Sequence, residues 1–300
     1  MSADLQKQDL RIGTMLPARD APRIIPQIKM HGFESFELTF GPDVVDLDLA
    51  ELAGRIEEAI GNDDIAISCL GIYGNPLGDG EVDAAFRNGW AALIDGAHLF
   101  GAPIVSGFTG RLKDRPIPES LPRFKEVFAP LAARAADKGL RLAFENCDMG
   151  GDWATGEWNI AHNPAAWEMM FNEIPDEHVG LEWEPCHQMV HLIDPMAQLR
   201  KWVGKVFHVH GKDATVMWDV VREFGIAGPR PFAYHRTPGF GDSNWSNIIS
   251  ELRLGGFRGS IDIEGWHDPV WRDALETTGQ VHALHYLKQA RGGYFVPNPE

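Results

Sequence analysis

The stretch Val179–Asp213, VGLEWEPCHQMVHLIDPMAQLRKWVGKVFHVHGKD, decides how the chain is read. Two short apolar runs, Val179–Trp183 and Lys205–Val209, have the character of strands, and polar residues able to bind a metal follow each. Glu184 and His187 follow the first, and His208, His210 and Asp213 close the second. Between them, Asp194–Val203 carries the apolar spacing of a helix. Strand, helix, strand is a βαβ unit, which predicts two parallel strands. Their carboxyl ends then open on one side of a sheet, the edge at which parallel α/β sheets bind ligands.

Working outward, the same alternation repeats. Strands are expected at Arg11–Leu16, Ser35–Phe40, Ile65–Ile72, Pro103–Phe108, Leu140–Glu145 and Gly259–Glu264. Helical spacing covers Ala21–Met30, Leu47–Ile60, Val82–Phe100, Leu121–Lys138, Pro164–Phe171, Asn244–Leu254 and Trp271–Arg291. Gly139 stops the fourth of these helices. The stretch Met217–Gly241, with several aromatics and prolines, reads as a long loop over the site holding one helix. Eight strand–helix alternations in 300 residues predict an α/β chain folded as a single-domain (β/α)8 barrel over 1–300. An open doubly wound sheet is the competing arrangement. It lacks its usual nucleotide site here, because no Gly-x-Gly-x-x-Gly follows the first strand.

Composition bounds the partners. The chain has 27 basic and 43 acidic residues, a net charge of −16, which repels phosphate backbones and anionic membranes. Neither a nucleic-acid partner nor a membrane partner is expected. Nothing resembles a signal peptide or an apolar span of about 18 residues, so the expectation is a cytoplasmic protein. Cys69, Cys147 and Cys186 suggest no disulfide framework and are expected as small buried thiols.

Strand alternation sorts what the later strands carry. In RLAFEN, Leu142 and Phe144 oppose Ala143 and Glu145. In LEWE, Leu181 and Trp183 oppose Glu182 and Glu184. In VFHVH, Phe207 and Val209 oppose His208 and His210, and in SIDIE, Ile261 and Ile263 oppose Asp262 and Glu264. Bulky apolar groups are thus expected to face the helices, with polar groups facing inward near the carboxyl-terminal rim. Glu145, Glu184, His210 and Glu264 make a set of three carboxylates and one imidazole. Such oxygen-rich ligation suits Mn²⁺ or Mg²⁺, with Co²⁺, Fe²⁺ or Zn²⁺ as further options. A divalent ion there polarises a carbonyl and stabilises an enediolate. His208 reads as a hydrogen-bonded core histidine, and His267, His162, Glu37 and Arg111 stand near strand ends or on loops.

The motifs themselves carry a likeness. The chain resembles the xylose isomerase-like TIM barrels, the sugar isomerase and epimerase superfamily that also holds endonuclease IV. Glu145 in AFEN matches the family's fifth-strand glutamate. Glu184-Pro185-Cys186-His187 matches its Asp-x-x-His with Glu in place of Asp, and leaves Glu182 as the alternative ligand on that strand. His210-Gly211-Lys212-Asp213 matches His-x-Lys-Asp, Gly239-Phe240-Gly241-Asp242 with Trp245 matches Gly-x-Gly-Asp…Trp, and Glu264 matches the eighth-strand glutamate.

The resemblance implies one metal, held by Glu145, Glu184, His210 and Glu264. It implies that Glu145 and Glu264 move the proton and that His187 contacts substrate oxygens. His267 and Lys212 are read from their positions as further substrate contacts, and Arg111 as able to bind a carboxylate or phosphate, with a solvated arginine as the alternative. The activity so implied is isomerisation or epimerisation of a sugar or oxidised sugar. A lyase acting on 3-oxo-glycosides, as in the catalytic subunits of C-glycoside deglycosidases, would use the same apparatus. A homo-oligomer or a hetero-assembly with a second subunit is implied too. The endonuclease IV branch fits poorly, because the third and fourth strand ends, Ser68–Gly71 and Ser106–Thr109, carry no histidine.

Overall fold

The structure is a computed structural model and describes residues 10–293, 296, 298 and 299. The first six strands are β1 (Arg11–Pro17), β2 (Ser35–Phe40), β3 (Ala66–Ile72), β4 (Ile104–Gly107), β5 (Arg141–Glu145) and β6 (Val179–Trp183). They are followed by β7 (Val206–Gly211), β8 (Asp213–Val216), β9 (Ala233–Arg236) and β10 (Ser260–Ile263). Eight of them form a closed parallel barrel in the order β1-β10-β7-β6-β5-β4-β3-β2, while β8 and β9 pair apart from it. Helices stand between the barrel strands, so the fold is the predicted (β/α)8 barrel.

Four of the helices start where a short polar side chain satisfies a first-turn amide. Asp48 accepts from Glu51 N and opens α2 (Leu49–Ile60), the helix after α1 (Ala21–Ile28). Then come α3 (Glu81–Phe100) and α4 (Ile117–Ala136). Gly139, at φ 69°, turns the chain out of α4 in the left-handed region that glycine tolerates. Asn163 accepts from Ala165 N at the start of α5 (Pro164–Glu173), and α6 (Cys186–Met189) is a short turn beyond β6. Asp194 and Asn244 cap α7 (Pro195–Trp202) and α9 (Trp245–Leu254), with α8 (Trp218–Phe224) between. The last helix, α10, spans Glu276–Ala290.

The chain divides into two compact units. The N-terminal unit holds residues 15–183 and 205–208, and the C-terminal unit holds the described residues of 1–14, 184–204 and 209–300. In the N-terminal unit, Phe144 meets Phe124 and Phe128 of α4 at ring distances of 5.5 and 4.8 Å, and Trp90 of α3 packs on Phe128 at 5.2 Å. The helix-facing side of β5 is therefore the side expected from its alternation, and Glu145 lies on the other. In the C-terminal unit, β10 pairs with both β1 and β7, placing Asp262 beside His210 and Ile263 beside Gly211.

Three expectations need correction. Met217–Gly241 is more than a loop with one helix: β8 and β9 form an antiparallel hairpin, with α8 at its turn. The segment's aromatics hid a strand of only four residues. The last helix begins at Glu276 rather than Trp271, because Asp268 Oδ1 accepts from Val270 N (2.8 Å) and Trp271 N (3.1 Å) and holds that stretch as a turn. Phe207, expected on the helix-facing side, packs with Cys69, Ile104 and Ala143. Gly180 makes room for it, since a β-carbon there would stand 2.6 Å from its ring.

Candidate active site

In the C-terminal unit, the residue after β10 gathers the polar groups. Glu264 Oε1 accepts from Lys212 Nζ at 2.6 Å and lies 3.1 Å from His267 Nε2. Its Oε2 is buried without a hydrogen bond, and the nearest ring atom across from it is His210 Nδ1 at 3.4 Å. Burial would raise the Glu264 pKa, but the Lys212 charge and the imidazoles of His210 and His267 hold it well below the usual carboxylate range. Glu264 is thus an ionised, buried carboxylate with one oxygen occupied and one directed towards an imidazole.

Glu184 follows β6 directly and leads into α6. Its Oε1 accepts from His187 N at 2.8 Å and contacts the His187 ring at Nδ1. The carboxylate thus folds back onto an amide three residues ahead. Burial opposes its charge, yet His187 and Lys212 hold its pKa down. Cys186 between them is inert: burial pushes its thiol well above the ordinary value, and Glu184 adds to that. Cys69 and Cys147 are buried free thiols as well, as expected.

The family motifs around this site support each other. Asp213, one of the residues first read as able to bind a metal, instead anchors the start of β8. It accepts from Ala214 N (2.7 Å), Ser243 N (3.1 Å) and Trp245 Nε1 (3.2 Å). Gly241 leaves room for it, because a β-carbon there would stand 2.4 Å from the Asp213 carboxyl. Asp242 Oδ2 in turn accepts from Val216 N at 2.8 Å. The His-Gly-Lys-Asp and Gly-Phe-Gly-Asp…Trp motifs are therefore two halves of one support, which sets Lys212 in place.

In the N-terminal unit, Glu145 closes β5 in register with Glu182 of β6. Asn159 holds the chain as it leaves β5, donating to Glu145 O (2.8 Å) and Cys147 O (2.7 Å). Deeper lies a polar set that motif reading missed in part. Tyr73 Oη is 2.5 Å from Glu37 Oε1 and 2.8 Å from Glu182 Oε2, and His208 Nδ1 is 2.9 Å from Glu182 Oε1. A phenol has one hydrogen, so one of the two carboxylates must carry a proton for both contacts to be hydrogen bonds. Glu182 faces His208 with its other oxygen, and Glu37 Oε2 lies 3.6 Å from the same ring nitrogen. Glu37, Glu182 and His208 also bring ligand atoms within 4.8 Å of one another, so this set too is able to hold a cation.

The remaining candidates fall elsewhere. Arg111 does not reach into solvent for an anion. Its buried guanidinium donates to Arg115 O (2.9 and 2.6 Å), Asp152 O (2.6 Å) and Trp153 O (3.2 Å), tying one loop to another. His162 is buried beside Asn163, which is the residue that caps α5. Phe240 of the Gly-Phe-Gly-Asp motif stacks on Trp271 and His282. His235, which belongs to no motif, lies beside His187 (5.0 Å between rings) and His267 (5.9 Å). Its only signal was a histidine among aromatics, in a segment read as loop.

A divalent cation suits the donor set of the C-terminal unit. The orphaned Glu264 Oε2 and the His210 ring at 3.4 Å are spaced somewhat wider than the roughly 3 Å separating neighbouring ligands on an octahedral ion with bonds of about 2.1 Å. The depressed pKa values of Glu264 and Glu184 keep both carboxylates in the ligating form. Glu182, whose two oxygens serve Tyr73 and His208, is less available than Glu184.

Comparison with known proteins agrees with the fold. The family described as xylose isomerase-like TIM barrel matches residues 25–290. No curated protein matches the chain in sequence. Among solved structures, a 3-keto-D-glucoside 4-epimerase from E. coli is similar at TM-score 0.69 and 15% identity, covering 94% of this chain and 100% of that one. An L-ribulose 3-epimerase is similar at TM-score 0.67 and 18% identity, with 94% and 96% covered. A D-psicose 3-epimerase, solved in the presence of D-fructose, gives 0.67 and 16%, with 95% and 100% covered. At such identities the likeness carries the fold.

Proposed function

Since the chain belongs to the xylose isomerase-like TIM barrel family, we propose that it is a divalent-metal-dependent isomerase or epimerase of a sugar or oxidised sugar. The observation that carries this reading is Glu264: ionised, buried, bonded to Lys212, and with a second oxygen facing His210. Glu264, His210, Glu184 and Glu145 are the residues that would hold the metal, Mn²⁺ by the hardness of the set. When bound, such an ion makes the C–H beside a substrate carbonyl acidic.

The chain's own groups do the rest. One of Glu264 and Glu145, as carboxylate, removes the proton from that carbon and keeps it, and the other, entering as the acid, delivers its own proton to the opposite face, inverting the centre; exchange with solvent resets both groups. Lys212 keeps Glu264 unprotonated and therefore able to act as a base. His187 and His267 stand beside the two carboxylates Glu184 and Glu264, where they contact substrate oxygens. Small-molecule chemistry also fits a net charge of −16, which would repel a nucleic acid. The named activities of the three epimerases above support the substrate class.

The test is solvent exchange. Mn²⁺-loaded protein in D₂O is offered D-fructose, D-psicose, L-ribulose and a methyl 3-keto-glucoside, and deuterium at the carbon beside the carbonyl is followed by NMR. Exchange into at least one sugar, abolished in Glu264→Gln, is the expected result. No exchange into any of them, or full exchange in the variant, overturns the reading. Release of an aglycone from a 3-keto-glucoside would instead mark the lyase branch of the same chemistry.

A further inference from the structure

We propose that His235 binds the sugar directly and sets specificity for an uncharged, hydroxyl-rich ligand, presented by the β8–β9 hairpin. The ligand class rests on the sugar reading above; the placement of His235 does not. The hairpin grows straight out of the His-Gly-Lys-Asp motif, with Ala214 paired to His235 and Asp213 to Arg236. His235 thereby comes edge-on to His187 at 85° and to His267 at 63°. Three imidazoles thus run from the Glu184 contact at one end to the Glu264 contact at the other.

A core histidine would be enclosed and hydrogen-bonded. His235 is neither: it is half-buried, and among the described residues neither ring nitrogen has a hydrogen-bond partner. Its neighbour Tyr234 on the other face of the strand is 38% exposed, so strand alternation turns His235 towards the other imidazoles. Burial, the Lys212 charge and His187 push its pKa down to about 4, so the ring is neutral at ordinary pH. A neutral imidazole offers one donor and one acceptor, which matches a hydroxyl that both gives and takes a hydrogen bond.

The position is fixed from behind. Asp268 Oδ2 accepts from Arg236 Nε (3.0 Å) and Thr237 N (2.9 Å), the residues that directly follow His235. Asp268 itself follows His267, so one carboxylate locks the hairpin to the loop after β10. The two histidines are the residues immediately before the two ends of that clamp.

Calorimetric titration of the Mg²⁺-loaded full chain tests the proposal, with D-fructose, D-psicose and a methyl 3-keto-β-D-glucoside as probes. His235→Phe keeps the ring volume and loses both polar atoms; His235→Gln keeps a donor and an acceptor. The Phe variant is expected to bind the best probe about tenfold more weakly, the loss of one hydrogen bond. The Gln variant is expected within about threefold of the parent, because the same pairing is retained. Equal affinity in the Phe variant overturns the proposal, and so does a parent protein that binds none of the probes. Binding is read without turnover. A chain that binds a sugar through His235 yet exchanges no deuterium would refute the isomerase reading and leave this one standing.

Discussion

Lys212 Nζ lies 2.6 Å from Glu264 Oε1, and both side chains are almost wholly enclosed in protein. This ion pair keeps a buried carboxylate charged where burial alone would neutralise it. Removing one partner of such a pair leaves an uncompensated charge, at a cost of roughly 3–5 kcal/mol.

Lys212→Met should therefore raise the Glu264 pKa and move the acid limb of the rate–pH profile to higher pH. In the parent chain the folded pKa lies below the unfolded one. Its stabilisation is present above the unfolded carboxylate value and is lost as pH falls through the folded value. The pH profile of sugar turnover, with thermal unfolding measured alongside, checks both parts. An unshifted acid limb would detach Lys212 from Glu264.

The hydrogen count around Tyr73 gives a second expectation. Tyr73→Phe removes the hydroxyl between Glu37 and Glu182 and should cost roughly 1–3 kcal/mol of stability. Of Glu37→Gln and Glu182→Gln, the milder should be the one at the carboxyl that supplies the shared hydrogen, since the amide then supplies it instead. Denaturant unfolding with EDTA present ranks the three variants. A Tyr73→Phe protein as stable as the parent would contradict the bridge.

Arg111 should matter to stability alone. Arg111→Ala strips hydrogen bonds from the carbonyls of Arg115, Asp152 and Trp153, at a cost of roughly 3 kcal/mol. Sugar affinity and metal content should stay unchanged in the fraction that remains folded. A selective loss of sugar affinity would restore Arg111 to the binding surface.

Acid should weaken the fold partly through His235. Its folded pKa is about 4 against an ordinary 6.5, so the unfolded chain takes up a proton that the folded chain refuses between those values. Stability contributed by the neutral ring is complete above about pH 6.5 and falls towards pH 4. His235→Gln should flatten the stability curve over that window. An identical slope in both proteins would contradict the burial of the ring.

The barrel was legible because its strands are short apolar runs whose ends carry charge, as in SIDIE and RLAFE. The support for Lys212 was legible only as two motifs, since nothing in their spacing says that Trp245 bonds Asp213. The hairpin was not legible. β9 is four residues long, and its Ala-Tyr-His-Arg has no apolar alternation to show a strand. Arg111 misled for a related reason: a lone arginine near a strand end reads as solvated or anion-binding, whereas backbone carbonyls from 41 and 42 residues further along the chain enclose it. Glu182 and Glu184, equal in sequence, are separated by their partners: Glu182 meets Tyr73 and His208 from distant parts of the chain, whereas Glu184 folds onto His187 three residues ahead.

The central claim is that side chains at the ends of the later strands hold one divalent ion. Elemental analysis of the full chain, loaded with Mn²⁺ and dialysed, tests it directly, with His210→Ala treated in parallel. About one manganese per chain in the parent protein and none in the variant is the predicted result. A parent chain that retains no metal, or a variant that retains as much as the parent, would contradict it.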